Sequence, residues 1–169
     1  QSTEGVGSKF TLQLELLLGS EHNEEIDETS AIQGENQSIS GAKIMVVDDN
    51  PMNLLVAKLQ IEKLGHQVVT ATNGQEAINT WLSEEPEMIF MDIQMPVMDG
   101  MEATQEIRRR MKNTGAKPLG IIALTADAEP STKNEALASG LNDVLVKPAS
   151  IEEVDLSIQH WCKVYRESV

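Results

Sequence analysis

Four apolar runs of strand length in this chain each hand over to a residue suited to phosphoryl or metal chemistry. Lys43-Ile44-Met45-Val46-Val47 ends at Asp48-Asp49, Met88-Ile89-Phe90-Met91 at Asp92, Ile121-Ile122-Ala123-Leu124 at Thr125, and Val144-Leu145-Val146 at Lys147. Helical periodicities lie between them, so from Ala42 onward the pattern is that of a doubly wound parallel sheet. The carboxyl ends of the strands in such a sheet share one edge, which is where these proteins bind ligands. Three carboxylates, a hydroxyl and a lysine are expected to meet there.

The element count is five strands and five helices. The first helix opens at Pro51 after Asn50 as cap, carries Met52, Leu55, Val56 and Leu59 at helical spacing, and stops at Gly65. Lys58, Glu62 and Lys63 form its solvated side. A second strand, Gln67 to Thr70, and a helix near Gln75 to Trp81 come before the Asp92 strand. The third helix follows Asp99-Gly100 and turns Ala103, Ile107 and Met111 toward the core. The fourth runs near Ser131 to Ser139 and stops at Gly140. Ser150-Ile151-Glu152-Glu153 reads as a capping box, with Ile151, Val154, Ile158 and Trp161 as the inward stripe of the last helix.

The amino-terminal stretch is different. Residues 8–16 alternate apolar and polar at Phe10, Leu12, Leu14 and Leu16, the period of a half-buried strand. A lone strand needs a sheet to join. From Gly19 to Gly41 the chain is rich in Glu, Ser, Asn and Gln, a composition that cannot bury enough surface to fold alone. A tether of that length spans about 25–30 Å as a random coil. The expected organisation is therefore an end piece over 1–17, a flexible acidic linker over 18–41 and a folded domain over 42–169. A chain that begins at Gln1 reads as cut from something longer.

Composition narrows the function. The net charge of −14 opposes nucleic acid and anionic membrane surfaces as partners. Aromatic content of 3% implies an aliphatic core. Cys162 is the only cysteine, so an internal disulfide is impossible and a reducing, cytoplasmic setting is the simpler reading. No signal peptide is legible, and no apolar run approaches the roughly 20 residues that span a bilayer. The expectation is a domain with no direct membrane contact, which leaves the parent chain free to be anchored in an inner membrane.

Asp48, Asp49 and Asp92 crowded into one pocket require a compensating cation. Mg²⁺ suits carboxylate and carbonyl oxygens and leaves coordination positions for phosphate. Asp92 can then attack phosphorus as a nucleophile to give an aspartyl phosphate. Lys147 can supply a point charge and Thr125 a hydroxyl to the oxygens of the transferred group. Closure of Thr125 onto that group would draw in the following loop, a local event that biases a two-state element.

Asp48-Asp49-Asn50-Pro51-Met52-Asn53, Met91-Asp92-Ile93-Gln94-Met95-Pro96-Val97-Met98-Asp99-Gly100, Ile122-Ala123-Leu124-Thr125-Ala126 and Val146-Lys147-Pro148 together resemble the receiver domain of two-component signalling. The resemblance covers about residues 42 to 163 and implies a flavodoxin-like α/β fold with strand order 2-1-3-4-5. It implies Asp92 as phosphoacceptor, with Thr125 and Lys147 as its catalytic companions. It also implies Mg²⁺ held by Asp49, by Asp48 through water, by Asp92 and by the backbone carbonyl of Gln94, and a cis-proline at Pro148. The wording of the middle motif is most like receivers of hybrid sensor histidine kinases. Residues 4–16 are similar to the final turn and strand of a histidine-kinase ATP-binding domain, without its nucleotide-binding motifs. The partners implied are a kinase dimerisation and phosphoacceptor domain and a histidine phosphotransfer domain, met through the first helix and the loop after Lys147-Pro148. One departure is Val144, where many receivers carry a Tyr or Phe.

Two other classes are compatible with parts of the pattern. A Mg²⁺-dependent phosphohydrolase with an Asp nucleophile usually carries an acid two residues on, where this chain has Gln94. An interaction module that never carries phosphate would have no need of the full set of site residues. His22, His66 and His160 lack a phosphodonor-like context. Arg108-Arg109-Arg110 reads as a solvated helix face, Met95 and Met98 as loop packing, and Cys162 as a plain helix residue. Met52 and Leu54 are open between core and docking roles. Asp127, two residues beyond Thr125, is expected to affect how long the phosphoryl group persists. Eight residues after Trp161 are too few for an output domain.

Overall fold

The computed structural model describes residues 2–3, 7–8, 38–127 and 129–167. The chain divides into a unit over Gln1–Asn36 and a larger one over Gln37–Val169. In the first, Ser2–Thr3 pairs antiparallel with Gly7–Ser8. Of the strand expected over residues 8–16, residues 9–16 lie outside the described residues, as does the linker up to residue 37.

The larger unit alternates strand and helix throughout: β1 Lys43–Val47, α1 Pro51–Lys63, β2 Gln67–Ala71, α2 Gly74–Glu84, β3 Met88–Asp92, α3 Gly100–Thr114, β4 Gly120–Thr125, α4 Pro130–Ala138, β5 Asp143–Val146 and α5 Ile151–Arg166. The strands form one parallel sheet in the order 2-1-3-4-5, as expected for a flavodoxin-like fold. Side chains alternate across each strand, so every run supplies both faces. Ile44, Val46, Phe90, Ile122 and Leu124 pack toward Ile61 of α1 and Val154, Ile158 and Cys162 of α5. Met45, Val47, Ile89, Met91 and Ile121 pack toward Ala77, Ile78 and Trp81 of α2 and Ala103 and Ile107 of α3. Helices on both faces explain why the strands read as unbroken apolar runs.

Helix starts follow local chemistry. Asn50, Asn73 and Asp99 accept backbone N–H bonds from Met52, Glu76 and Glu102. At α5 the Ser150 hydroxyl and the Glu153 carboxylate exchange bonds with each other's backbone N–H, the predicted capping box. Ahead of β1, Ile39 is clipped to α5, donating its N–H to Gln159 Oε1 at 2.6 Å and accepting from Gln159 Nε2 at 2.9 Å.

Two expectations fail. The stripe of Leu55, Val56 and Leu59, set opposite the solvated side, does not enter the core, Leu59 being 57% exposed, and Met52, open between core and docking, is 64% exposed. Ile61, with Leu54, Ala57 and Leu64, makes the inward contact instead. Both sides of α1 are rich in apolar residues, so spacing alone cannot select the buried one. Arg108 is not solvated either. Its guanidinium donates to the carbonyls of Gly140 and Leu119 and to Asn142 Oδ1, tying α3 to the ends of β4 and β5. Arg109 and Arg110 stay on the surface, paired with Glu106.

Candidate functional site

The carboxyl ends of β1, β3, β4 and β5 bring the singled-out residues to one edge. Asp48 follows β1, Asp92 closes β3, Thr125 closes β4 and Lys147 follows β5. Carboxylate oxygens of Asp48, Asp49 and Asp92 lie within 4.8 Å of one another. Asp48, Asp92 and Thr125 are buried, whereas Asp49 is exposed.

Lys147 bridges two of these acids. Its Nζ stands 2.6 Å from Asp48 Oδ2 and 2.8 Å from Asp92 Oδ2. Burial alone would lower the lysine pKa, but the two carboxylates outweigh it and hold it above the ordinary value. At Asp92 the balance is reversed. Burial pushes its carboxyl up, and Lys147 and the Gln94 N–H, 3.3 Å from Oδ1, only partly offset this. One ammonium against three carboxylates leaves the pocket short of positive charge, and hard oxygen donors are what a Mg²⁺-type ion takes.

Asp48 is held more fully than any other acid of the site. Oδ1 accepts from the Asn50 N–H at 2.9 Å, and Asn53 Nδ2 lies 3.0 Å from Oδ1 and 3.1 Å from Oδ2. Asn53 drew no separate role from the sequence. The signal was an amide five residues beyond the first acid, one turn into α1.

Backbone shape also serves the site. The Gly100 N–H donates to Ile93 O at 2.9 Å, and a Cβ at Gly100 would collide with the Asp92 backbone carbonyl. Only glycine permits that approach. Val97, 86% exposed, takes φ +73° in the loop after Asp92, a region branched side chains avoid. Lys147-Pro148 is cis. Thr125 Oγ1 accepts the Asp127 N–H, while the Asp127 carboxylate accepts from Glu129 N–H and the Thr132 hydroxyl. Asp127 thus braces the β4–α4 loop. Met95 and Met98 pack on the core. His66 is buried, accepting the Ala42 N–H on Nδ1. Cys162 is buried with its thiol pushed up to about 11, an unreactive setting.

A family model for the response regulator receiver domain matches residues 44–159. The chain belongs to the response regulator receiver family. Among curated relatives, it is 37% identical over 127 residues to the sensor histidine kinase GacS of Pseudomonas protegens, covering 75% of this chain and 14% of that protein. It is 32% identical over 160 residues to the aerobic respiration control sensor protein ArcB of Escherichia coli K12, covering 95% of this chain and 20% of the relative. The chain therefore spans a seventh to a fifth of the length of these two proteins.

Solved structures agree. The receiver domain of the sensor histidine kinase PA1611 from Pseudomonas aeruginosa, with magnesium in its active-site cleft, superposes with TM-score 0.66 at 34% identity, covering 73% of this chain and 99% of that one. The receiver of Saccharomyces cerevisiae Ssk1, crystallised with the histidine phosphotransfer protein Ypd1, gives TM-score 0.70 at 34% identity, over 74% of this chain and 91% of its counterpart. The acidic cluster of this receiver matches the magnesium site of the family. Among the described residues no helix is long and apolar enough to cross a membrane.

Proposed function

We propose that this receiver takes a phosphoryl group from a phosphohistidine onto Asp92 within a hybrid sensor histidine kinase. The observation that carries the reading is Lys147 bridging Asp48 and Asp92 inside a cluster of three carboxylates. An Asp92 oxygen attacks phosphorus, the P–N bond breaks, and its electron pair stays on the departing imidazole nitrogen. Asp48, Asp49, Asp92 and the Gln94 carbonyl would hold Mg²⁺, which supplies positive charge to the phosphoryl oxygens. Lys147 neutralises a further oxygen, and Thr125 turns its hydroxyl toward the group.

The exposed side of α1 fits the partner role. Met52, Leu55, Val56 and Leu59 are exposed on this helix, and Val56 lines a cleft of about 460 Å³ together with Asp48, Gln60, Lys147 and Pro148. An apolar patch at the rim of a reactive pocket suits a helical partner that presents a phosphohistidine. The histidine phosphotransfer domain and the kinase's own phosphoacceptor helices are both of that kind. Assigning residues 1–17 to the end of a kinase ATP-binding domain and 18–41 to a linker belongs to the same proposal. The ArcB match, which reaches 95% of this chain, supports it.

Intact-protein mass after incubation with acetyl phosphate tests the reading. One added phosphoryl that requires both Mg²⁺ and Asp92, judged against Asp92→Asn, is expected. Rapid donor consumption without an adduct would instead indicate a phosphohydrolase.

A further inference from the structure

Asp48 is 1% exposed, and three groups meet its carboxylate. They are the Asn50 N–H on Oδ1, Lys147 on Oδ2, and the Asn53 amide, whose nitrogen lies near both oxygens. These donors are not equivalent. Lys147 is shared with Asp92 and is charged, so a divalent cation entering the cluster repels it. The Asn50 N–H reaches only Oδ1. Once the ammonium withdraws, Asn53 is the donor left on Oδ2.

Asn53 is also the right kind of donor. Its amide is neutral, so it fixes the carboxylate without adding charge that competes with the cation. It stands on the first turn of α1, anchored by the Asn50 cap and Pro51, which makes the donor a fixed part of the helix.

On the reading that Asp48, Asp49 and Asp92 hold a divalent cation, we propose that Asn53 is a positioning residue for this site, holding both oxygens of Asp48 oriented while Lys147 is released to the phosphoryl group. Partners that orient a metal-binding carboxylate typically account for 10–100-fold in affinity. Asn53 is exposed and alanine suits a helix, so Asn53→Ala retains the fold.

The test is Mn²⁺ binding to the full chain, read by electron paramagnetic resonance, for wild type, Asn53→Ala, Asp48→Ala and the double variant, each with its melting midpoint. Asn53→Ala is expected to bind Mn²⁺ about tenfold more weakly, with a modestly lower melting midpoint because a buried carboxylate loses a donor, and with a cooperative transition retained. In the Asp48→Ala background it should cause no further loss, because coupled residues are non-additive. With acetyl phosphate, the Mg²⁺ concentration for half-maximal phosphorylation should rise while the rate at saturating Mg²⁺ stays close to wild type. Unchanged Mn²⁺ affinity in Asn53→Ala overturns the inference, as does an equal loss with and without Asp48. A wild-type chain that takes up no Mn²⁺ overturns the cation reading itself, and the role of Asn53 with it.

Discussion

Lys147 places its ammonium 2.6 Å from Oδ2 of Asp48, so the buried acid of the first strand is neutralised by a residue from the last. The pairing joins the carboxyl ends of β1 and β5 and supplies positive charge to a cluster of three carboxylates.

Removing that ammonium should expose the repulsion it hides. Lys147→Met is expected to lower stability by about 2 kcal/mol without Mg²⁺, below the ~3–5 kcal/mol of a fully buried pair because Lys147 reaches solvent. Added Mg²⁺ should then raise the melting midpoint of the variant more than that of wild type. Equal Mg²⁺ shifts in calorimetry would refute the counter-ion role.

The exposed stripe on α1 should matter to a protein donor and not to a small one. Leu59→Asp is expected to change stability by no more than about 0.5 kcal/mol, as for most surface sites. Phosphorylation by acetyl phosphate should be unaffected, while transfer from a phosphorylated histidine phosphotransfer domain should fall at least tenfold. If both donors respond alike, α1 is not the docking face.

His66 gives the fold a pH dependence. Burial is the main cause of its lowered pKa, Arg166 adds to it, and Asp155 and Glu87 oppose it. The unfolded chain therefore binds the proton more readily. Stability is complete above about pH 6.5, the ordinary histidine value, and declines as pH falls toward the lower folded value, by at most about 1.4 kcal/mol per pH unit. Denaturant melts between pH 7.5 and about 5 should show this slope, reduced in His66→Gln. An unchanged slope in that variant would assign the effect to other groups.

Gly100 should tolerate no side chain. A Cβ there meets the backbone of Asp92 and the side chain of Met91. Gly100→Ala is expected to cost about 3 kcal/mol and to slow phosphorylation of Asp92, since the nucleophile's own backbone must shift. Wild-type melting and kinetics would show that the loop yields without consequence.

The strands, the order of elements and the residues at the carboxyl edge were legible because a parallel sheet buried on both faces needs continuous apolar runs, and the residue just past each run emerges at the edge. The capping box of α5 was legible because Ser150 and Glu153 act within one turn. The inward side of α1 was not, since Met52, Leu55, Val56 and Leu59 match helical period as well as the buried Ile61 set does. Arg108 was misread because its partners are mainly carbonyls from distant segments, which composition does not reveal. Asn53 was visible in the first motif, yet its bond to Asp48 depends on how α1 leaves β1.

The clip between Ile39 and Gln159 fixes where the chain enters β1. Chain entry lies at the amino end of β1, and the carboxylates lie at its other end, five residues or about 17 Å away. Residue 39 is thus held at the edge opposite Asp92, and its two hydrogen bonds to Gln159 make α5 the element that resists a pull on the start of β1.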